Sequence, residues 1–154
     1  MSRNESDNLE NASNCLDICE ITDIFDDNES IILFICNNGD VNDMNEFILK
    51  NGVNWHLDET ENTLLILSCI YNRLDLVKLL IEHNADLNLQ NSDLMTALHE
   101  AVKNQNIKIV ELLLSHHANP LIADKNQEMP LDIAIKLNDK EISELLMQKC
   151  LQII

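Results

Sequence analysis

The segment TALHEAVKNQNIKIVELLLSHHANP, residues 96–120, decides the fold of this chain because it has counterparts at a fixed distance in both directions. With a period of 33 residues and no gaps, one column holds Ser30, Thr63, Thr96 and Met129. The column two positions later is aliphatic throughout and holds Ile32, Leu65, Leu98 and Leu131. A fixed period between about 20 and 50 residues is the signature of a repeat architecture. The sequence therefore predicts a solenoid of about four units.

Each unit contains two short apolar segments separated by a polar turn. The second segment has a broad apolar face, as in residues 107–114, and this spacing predicts a short amphipathic helix. Polar stretches such as 88–93 and 124–128 join one pair of segments to the next. Gly and Asn suit a backbone with positive φ between two helices, and the turn column holds Gly39, Asn72, Gln105 and Asn138.

These segments resemble the ankyrin repeat. Residues 96–101 resemble the T-P-L-H-x-A opening of that repeat, and residues 109–114 resemble its second helix. Segments 84–88 and 117–120 are similar to the family's G-A-D-x-N linker, with Asn or His where Gly is usual. The resemblance covers residues 30–149 and implies an all-α ankyrin-repeat solenoid, in which helix-turn-helix units are joined by short hairpin-like linkers.

The ends of the chain depart from the regular pattern, as terminal repeats commonly do. We expect an acidic N-terminal segment over 1–29 and a repeat domain over 30–154, divided into units 30–62, 63–95, 96–128 and 129–154. Gly39 and Gly52 lie 13 residues apart where the family usually has 12, which indicates an inserted residue and a compensating deletion. The apolar tail 150–154 is expected to pack back onto the last helix, with a docking surface as the alternative.

The N-terminal segment carries nine acidic residues against one arginine. We expect disorder through about residue 12 from this composition. Two interpretations remain open for the apolar residues that follow, which are a short helix capping the first repeat and a linear docking motif. These residues are Leu16, Ile18, Ile21, Ile24 and Phe25.

The charge balance restricts the partners. With 27 acidic against 10 basic side chains, the net charge of −17 would repel nucleic acid and anionic membrane surfaces and attract a basic protein segment. No signal peptide and no apolar run of about 18 residues is visible, so we expect a protein of the cytoplasm, the nucleus or both. Five cysteines fit a reducing compartment.

No constellation of catalytic or metal-binding residues is visible, so we expect no enzyme activity, metal or cofactor. The chain has only two glycines and lacks a phosphate-binding loop and a nucleophile motif. Cys15 and Cys19 lie four residues apart, but zinc would need two further ligands and none follows at the usual spacing. The resemblance implies a bracing role for His99 in its loop.

The resemblance also implies a concave binding face built from the first helices and the linkers. Phe34, Leu67, Ile70 and Tyr71 fall at or next to columns that hold polar residues, including Glu100, in the third unit. Trp55 lies in the first linker beside Asp58, Glu59 and Glu61. An aromatic anchor among carboxylates would suit a peptide that combines an apolar residue with Lys or Arg. Alternatively, Trp55, Phe34 and Leu67 pack against the N-terminal segment.

The expected function is a non-catalytic scaffold or adaptor that is monomeric and binds another protein through its concave face. One alternative is an acidic chaperone or escort for a basic client such as a ribosomal protein, a histone tail or a proteasome subunit. Another is an inhibitor of a transcription factor similar to IκB-like ankyrin proteins, including virus-borne ones. The resemblance further implies that Asn88 is a hydroxylation site, because asparaginyl hydroxylases modify linker asparagines in ankyrin proteins.

Overall fold

The described part of the chain folds entirely into helices and connecting turns. A computed structural model describes residues 27–153, and within that range it contains eight α-helices and no β-strand. The helices are α1 (Asn28–Asn38), α2 (Val41–Asn51), α3 (Leu64–Ile70), α4 (Leu74–Glu82), α5 (Ala97–Lys103), α6 (Ile107–Ser115), α7 (Pro130–Lys136) and α8 (Lys140–Ile153). The predicted all-α fold class is confirmed.

The helices form two packed layers. Helices α1, α3, α5 and α7 contact one another in sequence order, and so do α2, α4, α6 and α8. Within each pair, such as α3 and α4, a turn of a few residues brings the two helices into contact. The core lies between the layers, and column residues such as Ile32, Leu65 and Leu98 are fully buried in it. The arrangement is the helix-turn-helix stack that the repeat predicts.

The turns inside the helix pairs agree with the prediction in three units and differ in the first. Asn72, Gln105 and Asn138 have φ of 58°, 52° and 57°. Gly39 has φ of −74°, so the prediction of positive φ is wrong there. The reason is that α1 continues to Asn38, so Gly39 is the C-cap residue of that helix, whereas Asn72 is the residue that follows the C-cap Tyr71 of α3.

Gly39 is nevertheless required for a different reason. A Cβ at this position would lie 2.7 Å from the Cα of Ile35, which is closer than real Cβ contacts allow. Its backbone N–H donates to the carbonyl oxygen of Ile35 at 2.9 Å. The glycine therefore permits a close approach of two backbone segments at the end of α1.

The first helix begins earlier than its column suggests. Thr63, Thr96 and Met129 are the N-caps of α3, α5 and α7, whereas the N-cap of α1 is Asp27 and not Ser30. The Asp27 carboxylate accepts hydrogen bonds from the backbone N–H of Ser30 at 2.7 Å and from its hydroxyl at 2.9 Å. A carboxylate three residues upstream thus adds helix residues that the 33-residue period does not predict.

The inserted residue and the compensating deletion are both present. Helix α2 contains 11 residues, whereas α4 and α6 contain nine each. Gly52, at φ 92°, follows α2 as Asn84, at φ 60°, follows α4. The next residue of positive φ is Glu61 after Gly52 and Leu94 after Asn84, so the first linker is one residue shorter.

The tail does not pack back onto the last helix, so that expectation is wrong. Residues 150–153 continue α8, and Leu151 and Ile153 are 72% and 56% exposed. No Gly, Asn or Pro follows Lys149 to end the helix. The continuing helix leaves Leu151 exposed to solvent, whereas Gln152 and Ile153 line a shallow cleft of about 470 Å³ together with Leu114 and residues 117–121.

The predictions for residues 1–26 lie outside the described residues. They include the disordered beginning, the capping helix or docking motif, and the pair Cys15 and Cys19.

Candidate binding surface

Three linkers, each shaped like a small hairpin, follow the first three helix pairs. In the first, the backbone N–H of Leu57 donates to the carbonyl of Asn62 at 3.1 Å. The second has the equivalent bond from Asn91 to Met95 at 3.0 Å, and the third has one from Asp124 to Glu128 at 2.9 Å. Each tip contains one residue of positive φ, and these residues are Glu61, Leu94 and Gln127.

Hydrogen bonds join the three tips into one row, which we call the linker row. The backbone N–H of Ser92 donates to the carbonyl of Thr60 at 2.9 Å, and that of Lys125 donates to the carbonyl of Asp93 at 3.0 Å. Each tip therefore touches the next one directly. The linker row is a continuous edge of the molecule, in which backbone hydrogen bonds hold the three tips in register.

The first tip carries the carboxylates that the sequence singles out. Asp58, Glu59 and Glu61 are exposed. The backbone N–H of Asp58 donates to Oε1 of Glu29 at 2.8 Å, which fixes the tip against the start of α1. In the described part of the chain, no ion pair joins these three carboxylates to a cation.

Three carboxylates of the later units form ion pairs with lysines. Lys125 pairs with Asp93, and Lys136 pairs with Glu128. The Nζ of Lys103 lies 3.0 Å from Oε1 of Glu100. Within residues 27–153, the first tip therefore differs from the two later tips in carrying exposed carboxylates that pair with no lysine or arginine.

Trp55 lies at the base of the first linker and not at its tip. Its ring is half-buried and meets the ring of Phe47 edge to face, with centroids 5.2 Å apart. The carbonyl of Trp55 accepts from the backbone N–H of Leu64 at the start of α3, at 3.1 Å. The backbone of Trp55 is thereby fixed at the start of α3, while its indole packs against the ring of Phe47.

A shallow cleft of about 490 Å³ opens beside the indole ring. It is lined by Asn51, Gly52, Val53, Asn54, Trp55, His56 and Asp58. The cleft joins an aromatic wall to a carboxylate, which is a combination that suits the aliphatic stem and the charged head of Lys or Arg.

The apolar candidates on the first helices differ in their exposure. Ile70 and Tyr71 are 38% and 36% exposed, as expected for a contact surface. Leu67 is only 2% exposed and Glu100 only 7%, so the expectation that they form accessible surface is wrong. Both lie on helices packed between two neighbours in the same layer, which cover this column. Phe34, in the same column of α1, is half-buried against the core.

The exposed candidates form two groups at opposite ends of α3. Trp55 bonds to the first residue of α3, whereas Ile70 and Tyr71 lie at its last turn. A helix of seven residues is about 10 Å long. The two groups are therefore separate contact regions that one extended peptide could touch together.

Leu94 is an exposed apolar residue that the sequence reasoning missed. It occupies the tip of the second linker with φ of 57° and 46% exposure. Leucine rarely adopts positive φ, and the equivalent positions in the other linkers are the polar residues Glu61 and Gln127. A signal was therefore present in the sequence, namely an aliphatic residue in an otherwise polar column.

The structure also reveals side chains that tie one helix pair to the next. The guanidinium of Arg73 donates to the carbonyls of Cys36 at 3.2 Å and Gly39 at 2.9 Å, at the end of α1. Its Nη2 also lies 2.8 Å from Oδ2 of Asp75, and this hydrogen bond lowers the pKa of that carboxyl. Arg73 thereby holds α1 against the second unit.

The described residues contain no group of three or more His, Cys, Asp or Glu side chains that could hold a metal ion. Burial raises the pKa of the Cys36 thiol to about 12 and raises that of Cys69 as well. A thiol that stays protonated is a poor nucleophile and a poor metal ligand. These two cysteines serve as small core residues.

Asn88 is exposed on the linker, and its side chain has a partner. Its Oδ1 accepts a hydrogen bond from the backbone N–H of Asn119 at 2.8 Å, and its own N–H donates to Oδ1 of Asp86 at 2.9 Å. Hydroxylation of Asn88 stays a prediction. A modifying enzyme would have to reach a side-chain amide whose oxygen is hydrogen-bonded to the next linker.

Across residues 27–153, no helix combines the length and the apolar character needed to cross a membrane.

Comparisons with known proteins agree with this architecture. A family model described as ankyrin repeats (three copies) matches residues 6–91, 31–124 and 85–153. The chain is also similar to a putative ankyrin repeat protein of fowlpox virus (strain NVSL), with 37% identity over 67 residues. This match covers 43% of the chain and 9% of the viral protein, so the chain corresponds to only a small part of that relative.

Proposed function

Because this chain belongs to the ankyrin repeat family, we propose that it is a non-catalytic scaffold or adaptor that binds a protein partner on its linker row. Ankyrin repeats are protein-interaction modules, and that general role applies here. The finer proposal is that the partner presents a basic segment. The observation that carries it is the group of exposed carboxylates Asp58, Glu59 and Glu61 at the first tip, which form no ion pair with any other residue of 27–153.

The neighbouring tip supplies the apolar half of the proposed site. Leu94 is exposed at the second tip, and the bond between Ser92 and Thr60 holds that tip against the first. A peptide that places a basic residue near Glu61 could place an apolar residue on Leu94. Together with the cleft at Trp55, this arrangement favours a partner segment that alternates Lys or Arg with an aliphatic residue.

All residues of the proposed site belong to a single chain, so a monomer suffices for binding. Ile70 and Tyr71 extend the site along α3. Nucleic acid and anionic membranes are disfavoured as partners by the same carboxylates. A cytoplasmic or nuclear location would bring the chain into contact with many basic protein segments.

The test is peptide binding by charge-reversed variants. The probe is a fluorescent peptide of alternating arginine and leucine, and its affinity is measured by anisotropy. We expect the double variant Glu59→Lys/Glu61→Lys to bind at least about tenfold more weakly, since two carboxylates become cations beside the peptide. Trp55→Ala should also weaken binding, by removal of the aromatic wall.

The matched control is Glu82→Lys/Glu111→Lys, which changes the net charge equally on the exposed surface of α4 and α6. Its affinity should stay close to that of the natural chain, and circular dichroism should show that all variants are folded. Equal losses of affinity in the two double variants would show that binding depends only on the net charge and would contradict the proposed site. Unchanged affinity in the Glu59→Lys/Glu61→Lys variant would also contradict it.

The alternative of an escort for a basic client rests on the same carboxylates. An escort differs from an adaptor in keeping its client soluble. Light scattering of a basic ribosomal protein, diluted with and without an equimolar amount of this chain, distinguishes the two roles. Suppressed aggregation would favour the escort, and binding without suppression would favour the adaptor.

The alternative of an IκB-like inhibitor, in its virus-borne form, is kept because the chain is similar to an ankyrin repeat protein of a virus, whose name gives no further role. Such an inhibitor would compete with DNA for a transcription factor. Release of labelled DNA from a purified transcription factor on addition of this chain would support the inhibitor role. A factor that keeps its DNA at a saturating concentration of this chain would argue against that role.

A further inference from the structure

One side of α1 faces outward at the N-terminal end of the repeat stack. The direction follows from α5, where Nδ2 of Asn104 donates to two backbone carbonyls at the end of the preceding helix α3, at 2.8 and 3.2 Å. Ala97 and Glu100 lie seven and four residues before Asn104, and therefore on the same side of α5. Their equivalents in the first unit are Ile31 and Phe34. These two side chains face the position that a unit before the first would occupy.

Ile31 and Phe34 are covered although no described unit precedes them. Ile31 is 5% exposed, close to the 0% and 1% of its equivalents Leu64 and Ala97, which have a unit before them. Phe34 is half-buried. Within residues 27–153, α1 is the first helix of the stack, and it contacts α2 in the other layer and α3 in the following unit. Residues 1–26 are therefore the part of this chain that can cover the outer side of α1.

The other end of the stack shows what an uncovered outer column looks like. Ile135 on α7 is 57% exposed, whereas the equivalent positions in the first three units are fully buried. An aliphatic residue of the outermost unit thus becomes exposed when its neighbouring unit is missing. Ile31 does not follow this pattern, because it stays buried at the start of the stack.

Residues 16–25 lead almost directly into α1 and carry an amphipathic helical pattern. Ile18, Ile21 and Phe25 are spaced three and four residues apart and share one helical face. Glu20 and Asp23 fall on the opposite side of the same helix. Terminal units of soluble solenoids carry a polar outer face. A helix with one apolar and one acidic side therefore has the composition of a terminal cap.

The length and the position of this segment suit the outer side of α1. A helix of ten residues is about 15 Å long, and the 11-residue α1 is about 17 Å long. The backbone of Asp27 is extended where the chain enters α1, so residues 26–27 can form the short turn of a helix pair. The first ankyrin match begins at residue 6, so the family resemblance extends over the segment before α1.

We propose that residues 16–25 form a helix that packs on the outer side of α1 and caps the N-terminal end of the stack. Its apolar face of Ile18, Ile21 and Phe25 covers Ile31 and Phe34, and its acidic side faces solvent. The short tether holds this helix beside α1 at a high effective concentration. A linear docking motif for another protein would instead leave these apolar side chains available.

Hydrogen exchange of the full chain, followed by mass spectrometry, tests the proposal. The amides of residues 18–25 should exchange at least about tenfold more slowly than those of an unstructured chain, because helical hydrogen bonds protect them. The variant Ile21→Asp places a charge in the apolar face and should remove this protection. The matched control is Leu9→Asp, which makes the same change before the amphipathic pattern and should leave the protection intact.

Two further checks apply to these variants. Exchange of the amides in α3 to α8 should be unchanged in Ile21→Asp, which shows that the rest of the stack is folded. The urea concentration at the midpoint of unfolding should fall in Ile21→Asp, since the first unit loses packing, and should stay the same in Leu9→Asp. Equal midpoints and equal protection in the two variants would overturn the proposal.

NMR of the isotope-labelled natural chain locates the contact without any substitution. Nuclear Overhauser effects should join the ring protons of Phe34 to methyl groups of Ile18 or Ile21. A ring that shows such effects only with residues 27–153 would overturn the proposed position of the cap. Amides of residues 18–25 that exchange at the rate of an unstructured chain would overturn the helix. Protection that appears only as the protein concentration rises would assign the outer side of α1 to a second copy and would also overturn the proposal.

Discussion

His99 shows how one side chain can join two repeats of this stack. It is fully buried, and its Nδ1 accepts a hydrogen bond from the backbone N–H of Thr96 at 3.0 Å. Its Nε2 lies 3.3 Å from the carbonyl oxygen of Glu128 in the next linker. The ring is therefore neutral, with Nδ1 as acceptor and Nε2–H as donor. Burial lowers the pKa of His99 from its ordinary value of 6.5.

The lowered pKa of His99 predicts a loss of stability in mild acid. In the unfolded chain, the imidazole takes up a proton as the pH falls through about 6.5, whereas in the folded chain it resists protonation. The unfolded state therefore binds more protons, and the free energy of unfolding should decrease as the pH falls from about 6.5 towards the folded pKa. Urea unfolding between neutral and mildly acidic pH measures this decrease.

The comparison variant is His99→Gln, which removes the titration and keeps a side chain that can form hydrogen bonds. It should be less stable at neutral pH and should show a smaller change in stability over the same pH range. His116→Gln, at the exposed end of α6, serves as the control and should retain the slope of the natural chain. Identical slopes for the natural chain and His99→Gln would contradict this role.

The central helix α5 owes its stability to packing more than to its length. It has seven residues, which is too short for a stable isolated helix, and six of them are buried. Helices α3 and α7 contact it from both sides, and α6 covers it from the second layer. Its apolar column residues therefore contribute more to the free energy of unfolding than its intrinsic helix propensity does.

Leu98→Ala should lower the free energy of unfolding by roughly 2–5 kcal/mol, because it leaves a cavity in a fully buried position between three helices. Leu94→Ala is the matched control, because Leu94 is 46% exposed. Its φ is positive, and leucine and alanine both carry a Cβ, so the substitution does not change the backbone strain at this position. That control should change stability by less than about 1 kcal/mol. Comparable losses in the two variants, measured by denaturant unfolding, would contradict the assigned packing.

At the level of elements, the regular units could be predicted from the sequence and the first unit only in part. The column of Thr63, Thr96 and Met129, which the 33-residue period defines, supplies the N-caps of α3, α5 and α7. It could not reveal that Asp27 caps α1, since a local carboxylate overrides the repeat there. A comparison of equivalent positions also cannot predict the contacts of a residue whose neighbours differ from one unit to the next.

At the level of the whole molecule, the candidate surface depends on contacts between units, which a column comparison does not show. Leu67 and Glu100 occupy columns that neighbouring helices cover, so their burial follows from stacking. The ion pair between Lys125 and Asp93 joins residues 32 positions apart in sequence, so the sequence alone does not show that Asp93 has a lysine partner. The carboxylates of the first linker could be predicted as a group because they are adjacent in sequence.

The concentration of negative charge at the first tip predicts a binding rate that depends on salt. The association rate constant of the arginine–leucine peptide should fall by roughly tenfold when ionic strength rises from low to above physiological, because salt screens the attraction between separated charges. The dissociation rate should change much less, since it depends on short-range contacts. Stopped-flow fluorescence measures both rates, and an association rate that ignores salt would contradict electrostatic steering.

The most direct test of the central claim is an NMR titration of the ¹⁵N-labelled chain with the same peptide. If the linker row is the binding surface, the largest amide shifts should fall in residues 54–62 and 91–95. Smaller shifts should follow at Ile70 and Tyr71, and the outer helices α4 and α6 should be almost unaffected. Shifts confined to α4 and α6, or spread evenly over the molecule, would contradict the proposed surface.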